Sequence, residues 1–310
     1  MSVNVIVASP ILLEEMKNNY QSTFVSPFPQ HSVFSAKKNG TTITAYKSGK
    51  VVFQGSAADT ESKIWIDKGA KADEKKSNTA ASVVPLPNGF NTWSVMGSDE
   101  VGTGSYFGPL TVAATYVDSS QIDLLKELGV KDSKHLTDAQ IVSIAKDLIT
   151  FLPYSLMNVM PEKYNQLQPT MSQGKMKALL HNRALLNVKA KIAPLVPKAT
   201  LIDQFAEKDL YYRYLSDEKE VMNENVFFRT KGESHHLSVA AASIIARYSF
   251  LKGLEELSDL VGITLPSGAN AKSDVAAARI LNKGGMEQLG KVAKLHFANT
   301  EKGKTIAGYK

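Results

Sequence analysis

One stretch of the chain leaves few ways to fold around it: Ser94-Val95-Met96-Gly97-Ser98-Asp99-Glu100-Val101-Gly102-Thr103-Gly104-Ser105-Tyr106-Phe107-Gly108-Pro109-Leu110. An apolar run enters two adjacent carboxylates. A glycine-rich turn follows, and a second apolar run extends from Leu110 to Val117. Their apolar and β-branched content makes both runs strands, and the glycines mark the tight link. Successive strand side chains point to opposite faces. Asp99 and Glu100 therefore serve one site only where the strand ends or bulges, which Gly102 and Gly104 allow. Carboxylates at a strand end beside exposed backbone N–H groups suit metal-assisted chemistry on a phosphate. A solvated hairpin turn uses the same residue types, so this stretch alone leaves both readings open.

A length of 310 residues predicts one large domain or two. The net charge of +6 permits an anionic partner without requiring one. The absence of cysteine excludes a disulfide framework, a thiolate metal site and a cysteine nucleophile. Met1 to Ser9 lacks the basic start and long apolar core of a secretory leader. No apolar run reaches the ~18–20 residues of a membrane span. A cytoplasmic protein without a membrane partner is expected, and a monomer, since no oligomerisation helix stands out.

The chain divides on composition. Val3 to Val7 reads as a strand, and Ser9-Pro10 opens a helix through Tyr20. Strands follow at Ser32–Lys37, Thr41–Tyr46 and Val51–Gln54, with Asn39-Gly40 as a hairpin turn, and a helix from Ala57 to Ile66 closes the unit. Residues 1–68 thus form a β-α-β-β-β-α unit. Residues 69–88, charged and then proline-bearing, read as a linker. In residues 89–310, strands at 154–159, 199–203 and 226–230 alternate with helices, capped at Ser120 and Thr137 and running over Gly174–Ile192, Lys208–Leu215, Leu237–Leu254, Ser273–Asn282 and Met286–Phe297. That order predicts an α/β domain with a mixed sheet flanked by helices.

Three places share an acidic residue where an apolar strand ends: Asp99-Glu100, Asp203 after Ala199–Ile202, and Glu233 after Val226–Thr230. Ligand sites in α/β sheets gather at strand ends. Four convergent carboxylates would repel, and hard divalent cations relieve that repulsion; oxygen ligands without cysteine suit Mg²⁺ or Mn²⁺. Taken singly, Asp203 and Glu233 read first as helix caps or first-turn acids. The set of three places favours the metal site. Lys134 is a possible phosphate contact and an ordinary surface lysine. His235-His236 are candidate ligands or proton carriers and, more simply, polar surface. Lys37, Lys38, Lys47 and Lys50, with Phe34 and Tyr46 among them, make the first unit's sheet a candidate nucleic-acid surface, or a solvated face with Phe34 in the core. A dinucleotide site fits poorly, because Pro109 and a β-rich run follow the glycines where a helix should begin.

Gly97–Gly104 with Phe107-Gly108-Pro109 resembles the opening motif of the type 2 ribonucleases H. Lys131-Asp132-Ser133-Lys134 with Leu136 resembles their second motif, Leu201-Ile202-Asp203 their third, and Lys231-Gly232-Glu233 with Val239–Ile244 their fourth. Ribonuclease HII typically carries Gly-Arg-Gly after the acidic pair and Asp at the fourth acidic position. Thr103 and Glu233 stand there in this chain. Both departures, and the extra N-terminal unit, are similar to bacterial ribonuclease HIII, whose N-terminal substrate-binding domain resembles half of a TATA-binding protein. The resemblance implies endonucleolytic cleavage of the RNA strand of RNA–DNA hybrids with two divalent ions, leaving 5′-phosphate and 3′-hydroxyl ends. It implies Asp99, Glu100, Asp203 and Glu233 as the catalytic, metal-binding set. It implies Gly102, Thr103 and Gly104 at the ribose-phosphate and Ser133 and Lys134 at backbone phosphate. Thr103 in place of arginine counts against cutting at a single embedded ribonucleotide. That activity and a non-catalytic nucleic-acid-binding protein are the alternatives.

Overall fold

The computed structural model describes residues 2–29, 32–72, 85–131, 133 and 136–309. The chain forms two compact units, residues 1–85 and 86–310.

The first unit is built from β1 (Ser2–Val7), α1 (Pro10–Tyr20), β2 (Ser32–Lys38), β3 (Thr41–Tyr46), β4 (Lys50–Gly55), α2 (Ala58–Asp67) and β5 (Lys71–Ala72). The sheet is antiparallel in the order β2-β3-β4-β1-β5. Ser9 caps α1, its hydroxyl accepting from the Leu12 N–H at 3.3 Å. Asn39 and Gly40 both take positive φ, as a tight hairpin turn between β2 and β3 needs. Phe34, Ile43, Phe53, Met16 and Trp65 fill the core. The strand β5 corrects the sequence expectation: Lys71 and Ala72 pair with Val7 and Ile6, inside the stretch read as linker. Two residues carry no readable alternation, so only the pairing reveals them. The rest of that stretch, residues 73–84, lies outside the described residues.

The second unit opens with β6 (Val95–Val101) and β7 (Leu110–Val117), then α3 (Ile122–Glu127), α4 (Asp138–Phe151), β8 (Tyr154–Val159), α5 (Pro161–Leu167), α6 (Gln173–Ile192), β9 (Ala199–Asp203), α7 (Lys208–Tyr214), β10 (Val226–Arg229), α8 (Leu237–Val261), α9 (Ala271–Val292) and α10 (Asn299–Ala307). The sheet order is β10-β9-β6-β7-β8, with β6 parallel to β9 and antiparallel to β7. Every residue of β7 is buried. Its Ala113 and Val117 pack with α3, α4 and α8, while Val112, Ala114 and Tyr116 pack with α6 and α7. Helices therefore cover both faces.

Two local expectations change. Asp118, rather than Ser120, caps the turn leading into α3, and its carboxylate accepts from the Ser120 N–H at 3.0 Å. The segments expected as two helices after Ser273 run together as α9, broken at Gly285, whose φ of 64° no helix interior adopts. By length and composition α8 is a candidate membrane span, yet 72% of its most apolar window is buried within the protein. Its alanines face the sheet instead.

Close packing of α8 on β6 depends on Gly97. A Cβ there would stand 2.5 Å from the Ser238 carbonyl carbon and the Val239 nitrogen. Gly104 has nothing within 4 Å of its Cβ position. Gly97→Ala is expected to destabilise the protein by about 2–3 kcal/mol, as overpacking does. Gly104→Ala should stay within about 1 kcal/mol, as surface changes do. Denaturant unfolding of both variants checks the contrast.

Candidate active site

β6 does not end or bulge at Asp99-Glu100, as the sequence reading required. It stays paired with β7 through Val101. What ends is its other neighbour. The last residue of β6 paired with β9 is Ser98, opposite Ile202, and β9 stops at Asp203. Beyond Ser98 one flank of β6 is open. Asp99 and Glu100 still leave opposite faces, Asp99 toward α8 and Glu100 toward α6, and both reach this open flank. One carboxylate oxygen from each of Asp99, Glu100 and Asp203 lies within 4.8 Å of the others.

Each carboxylate is held differently. Asp99 is nearly buried and accepts hydrogen bonds from the Glu100 N–H at 2.7 Å and from the Ser243 hydroxyl on α8. Ser243 is in turn bonded to Ser133, Oγ to Oγ, at 2.9 Å. Burial, with the charges of Asp203 and Glu100 beside it, pushes the Asp99 carboxyl well above the usual carboxylate range. Burial acts the same way on Glu100, but two α6 residues outweigh it. Lys177 Nζ donates to Oε1 at 2.7 Å and His181 Nε2 to Oε2 at 3.0 Å, and Glu100 is held below its ordinary range. His181 Nδ1 stands 2.8 Å from the Ser98 hydroxyl, and Phe205 packs under both the Lys177 ammonium and the His181 ring.

Asp203 accepts from the Gly232 N–H at 2.8 Å. Lys231 takes a left-handed φ of 56° to aim that N–H, and a Cβ at Gly232 would sit 3.3 Å from the Asp203 Cα. Burial and the charges of Glu100 and Glu233 raise the Asp203 carboxyl above its ordinary range, against that hydrogen bond. Glu233 itself is buried in the 3₁₀ turn Gly232–Ser234. It lies outside the 4.8 Å group and is felt there through its charge on Asp203.

The glycine loop is built from below. Lys294 is fully buried and donates to the Ser105 carbonyl at 2.8 Å and the Gly108 carbonyl at 2.6 Å. Burial lowers its ammonium pKa to about 7. Gln173 Nε2 donates to the Thr103 carbonyl at 3.2 Å. The Thr103 hydroxyl is buried without a hydrogen-bond partner.

Other candidates fall elsewhere. Ser133 meets Ser243 and so supports Asp99; Lys134, with Asp132 and His135, lies outside the described residues. His236 is a cap. Its Nδ1 accepts from the Ser238 N–H at 3.0 Å and its Nε2 donates to the Trp93 carbonyl at 3.1 Å, which starts α8. Lys37 and Lys38 are consecutive strand residues and face opposite ways. Lys38 lies 5.4 Å over the Tyr20 ring, while Lys37, Lys47 and Lys50 are exposed. Phe34 is fully buried, so the first unit does not offer it to bases.

Sequence reasoning missed Lys177, His181, Ser243, Gln173 and Lys294. A signal existed for two of them: Lys177 and His181 are four apart and share the buried stripe of α6 with Ala184, Leu185 and Val188.

Residues 96–300 match the family model described as Ribonuclease HII, and residues 3–79 match one described as a domain of unknown function, DUF3378. Proteins named Ribonuclease HIII from Bacillus mycoides and Bacillus cereus are each 53% identical over 301 residues, 96% of this chain and 96% of theirs. The structure described as Bst-RNase HIII in complex with Mn²⁺ aligns over 100% of both chains at 46% identity and a TM-score of 0.70. Aquifex aeolicus RNase H3, at 21% identity and a TM-score of 0.52 over 94% of this chain and 98% of its own, shares the fold.

The His236 cap carries a pH signature. Burial lowers its pKa from 6.5 to about 4, against the opposing bond to Trp93. Between those values the unfolded chain holds a proton that the folded chain does not. Stability is therefore fully present above about pH 6.5 and falls as pH drops toward 4, by up to about 3 kcal/mol. His236→Asn, which keeps a cap acceptor, should flatten this slope in unfolding measured across that window.

Proposed function

Because this chain belongs to the ribonuclease HII family, within it to the ribonucleases HIII, we propose that Asp99, Glu100, Asp203 and Glu233 form the centre where it hydrolyses the RNA strand of RNA–DNA hybrids. The observation that carries this assignment is the convergence of three carboxylate oxygens within 4.8 Å at the open flank of β6.

The donor set suits Mg²⁺ or Mn²⁺. It is all oxygen, and the raised Asp99 and Asp203 pKa values record a repulsion that divalent cations relieve. Bst-RNase HIII, a solved relative at 46% identity, was described with Mn²⁺. Two such cations, when bound, supply an activated water and neutralise charge at the departing 3′ oxygen, giving 5′-phosphate and 3′-hydroxyl ends.

The protein's own residues prepare the rest. Asp99, the most buried of the three, would hold a cation together with Glu100 and Asp203. Lys177 and His181 keep Glu100 ionised and fix its two oxygens. The Gly232 N–H aims Asp203, and the relay of Ser133 and Ser243 aims Asp99. Gly102, Thr103 and Gly104 present backbone toward the ribose-phosphate, where small residues permit close approach. Readout of backbone and the 2′-hydroxyl implies weak sequence preference and binding that falls with salt. Thr103 favours substrates with a run of ribonucleotides over a single one.

Asp99→Asn is expected to lower Mg²⁺-dependent cleavage of labelled hybrid by more than about 100-fold, beyond the loss of an outer partner. Without metal the same variant should melt at or above the wild-type temperature, because a repelled buried carboxylate is gone. Retained cleavage would remove Asp99 from the centre.

We assign hybrid binding to the first unit as well, through Lys37, Lys47 and Lys50. Deleting residues 1–85 is expected to weaken hybrid affinity about tenfold or more, as lost phosphate contacts do, with little change in maximal turnover. Equal affinity of the truncated and full chains, by fluorescence anisotropy, would end that assignment.

A further inference from the structure

The turn after the paired carboxylates has four residues, Gly102 to Ser105, closed by a 3.2 Å bond from the Ser105 N–H to the Gly102 carbonyl. Its central peptide joins Thr103 to Gly104. Neither of these residues has a positive φ, which makes the turn type I. Types I and II differ in which way the central peptide faces. Type II needs a positive φ at the third residue, and glycine supplies it at no steric cost. Gly104 therefore leaves this peptide able to turn over.

One side chain opposes that. Gln173, the first residue of α6, donates from Nε2 to the Thr103 carbonyl at 3.2 Å and to the Tyr164 hydroxyl at 3.1 Å. A carbonyl oxygen only accepts, so the amide end facing it is the NH₂. Tyr164 is fully buried and anchors that amide. In a trans peptide the C=O and the next N–H point in opposite directions. With the Thr103 carbonyl held toward Gln173, the Gly104 N–H points away from it. Gly104 is exposed, with nothing within 4 Å of where a Cβ would stand.

We propose that Gln173 is a positioning residue that latches the Thr103–Gly104 peptide in one of two orientations, and so fixes the side on which the Gly104 N–H meets a phosphate oxygen of the RNA strand. The proposal rests on the reading of Gly102–Gly104 as a contact to the hybrid. Gln173 touches no reacting atom. It sets which face of the turn is donor and which is acceptor, and the flipped peptide would turn a carbonyl oxygen toward a polyanion.

Gln173→Leu removes the donors and adds no charge near phosphate. In metal-free protein without substrate, ¹⁵N relaxation dispersion at the Gly104 amide should show microsecond-to-millisecond exchange in the variant and none in the wild type. The KM for a hybrid should rise about tenfold, the effect of a lost hydrogen bond, with kcat within about twofold and Mn²⁺ affinity unchanged. Gly104→Ala resists a positive φ, so in that background Gln173→Leu should produce no exchange and a smaller rise in KM. Absence of exchange in Gln173→Leu, or an equal KM penalty in both backgrounds, overturns the latch. Exchange with an unmoved KM overturns the contact between this turn and the hybrid, and leaves the carboxylate centre to be judged by Asp99→Asn.

Discussion

Three carboxylate oxygens within 4.8 Å of one another, in a place largely closed to water, is the condition that the rest of the second unit accommodates. Like charges so close raise one another's pKa, and burial adds to the effect. The chain divides the cost unevenly. Glu100 is kept charged by an ammonium and an imidazole, while among the described residues Asp99 and Asp203 receive neutral donors and are pushed upward. A divalent cation bound there would relieve that repulsion. A group that is already paired, Glu100, fixes the geometry around which the other two respond.

Sheet topology creates that condition. Parallel pairing sets β9 beside β6, and β9 stops one residue past its last pair with β6, while β6 runs on to Val101. Glycine then does two different things. Gly97 lets α8 lie against β6, so Ser243 reaches Asp99. Gly232 lets a turn press its N–H onto Asp203. A larger residue at either position would separate a carboxylate from its donor before altering any charge.

Much of this was legible in the sequence. The hairpin around Asp99-Glu100, the strand ending at Asp203 and the Thr137 cap follow from local chemistry that tertiary structure does not overrule. The short helix α5 and the two-residue β5 were not legible, because their periodicity is too brief to register. The opening at Asp99-Glu100 was hidden for a different reason: it belongs to the neighbour β9 and leaves no mark on β6 itself. Lys177 and His181 lay hidden in a helix legible only as a helix, since long-range pairing of a buried charge leaves only a faint mark in the local pattern. Lys294 left none. Nothing near it in sequence announces that the glycine loop will fold over it.

That buried lysine has a consequence for the loop's outer surface. Lys294 has no carboxylate partner in its hydrogen bonds; its ammonium is solvated by the Ser105 and Gly108 carbonyls, as a crown ether solvates a cation. Gln173 draws the Thr103 carbonyl away as well. The Gly102, Thr103, Ser105 and Gly108 carbonyls of the loop are thus all engaged within the protein. What the turn leaves to solvent includes the exposed Gly104, whose N–H points away from Gln173.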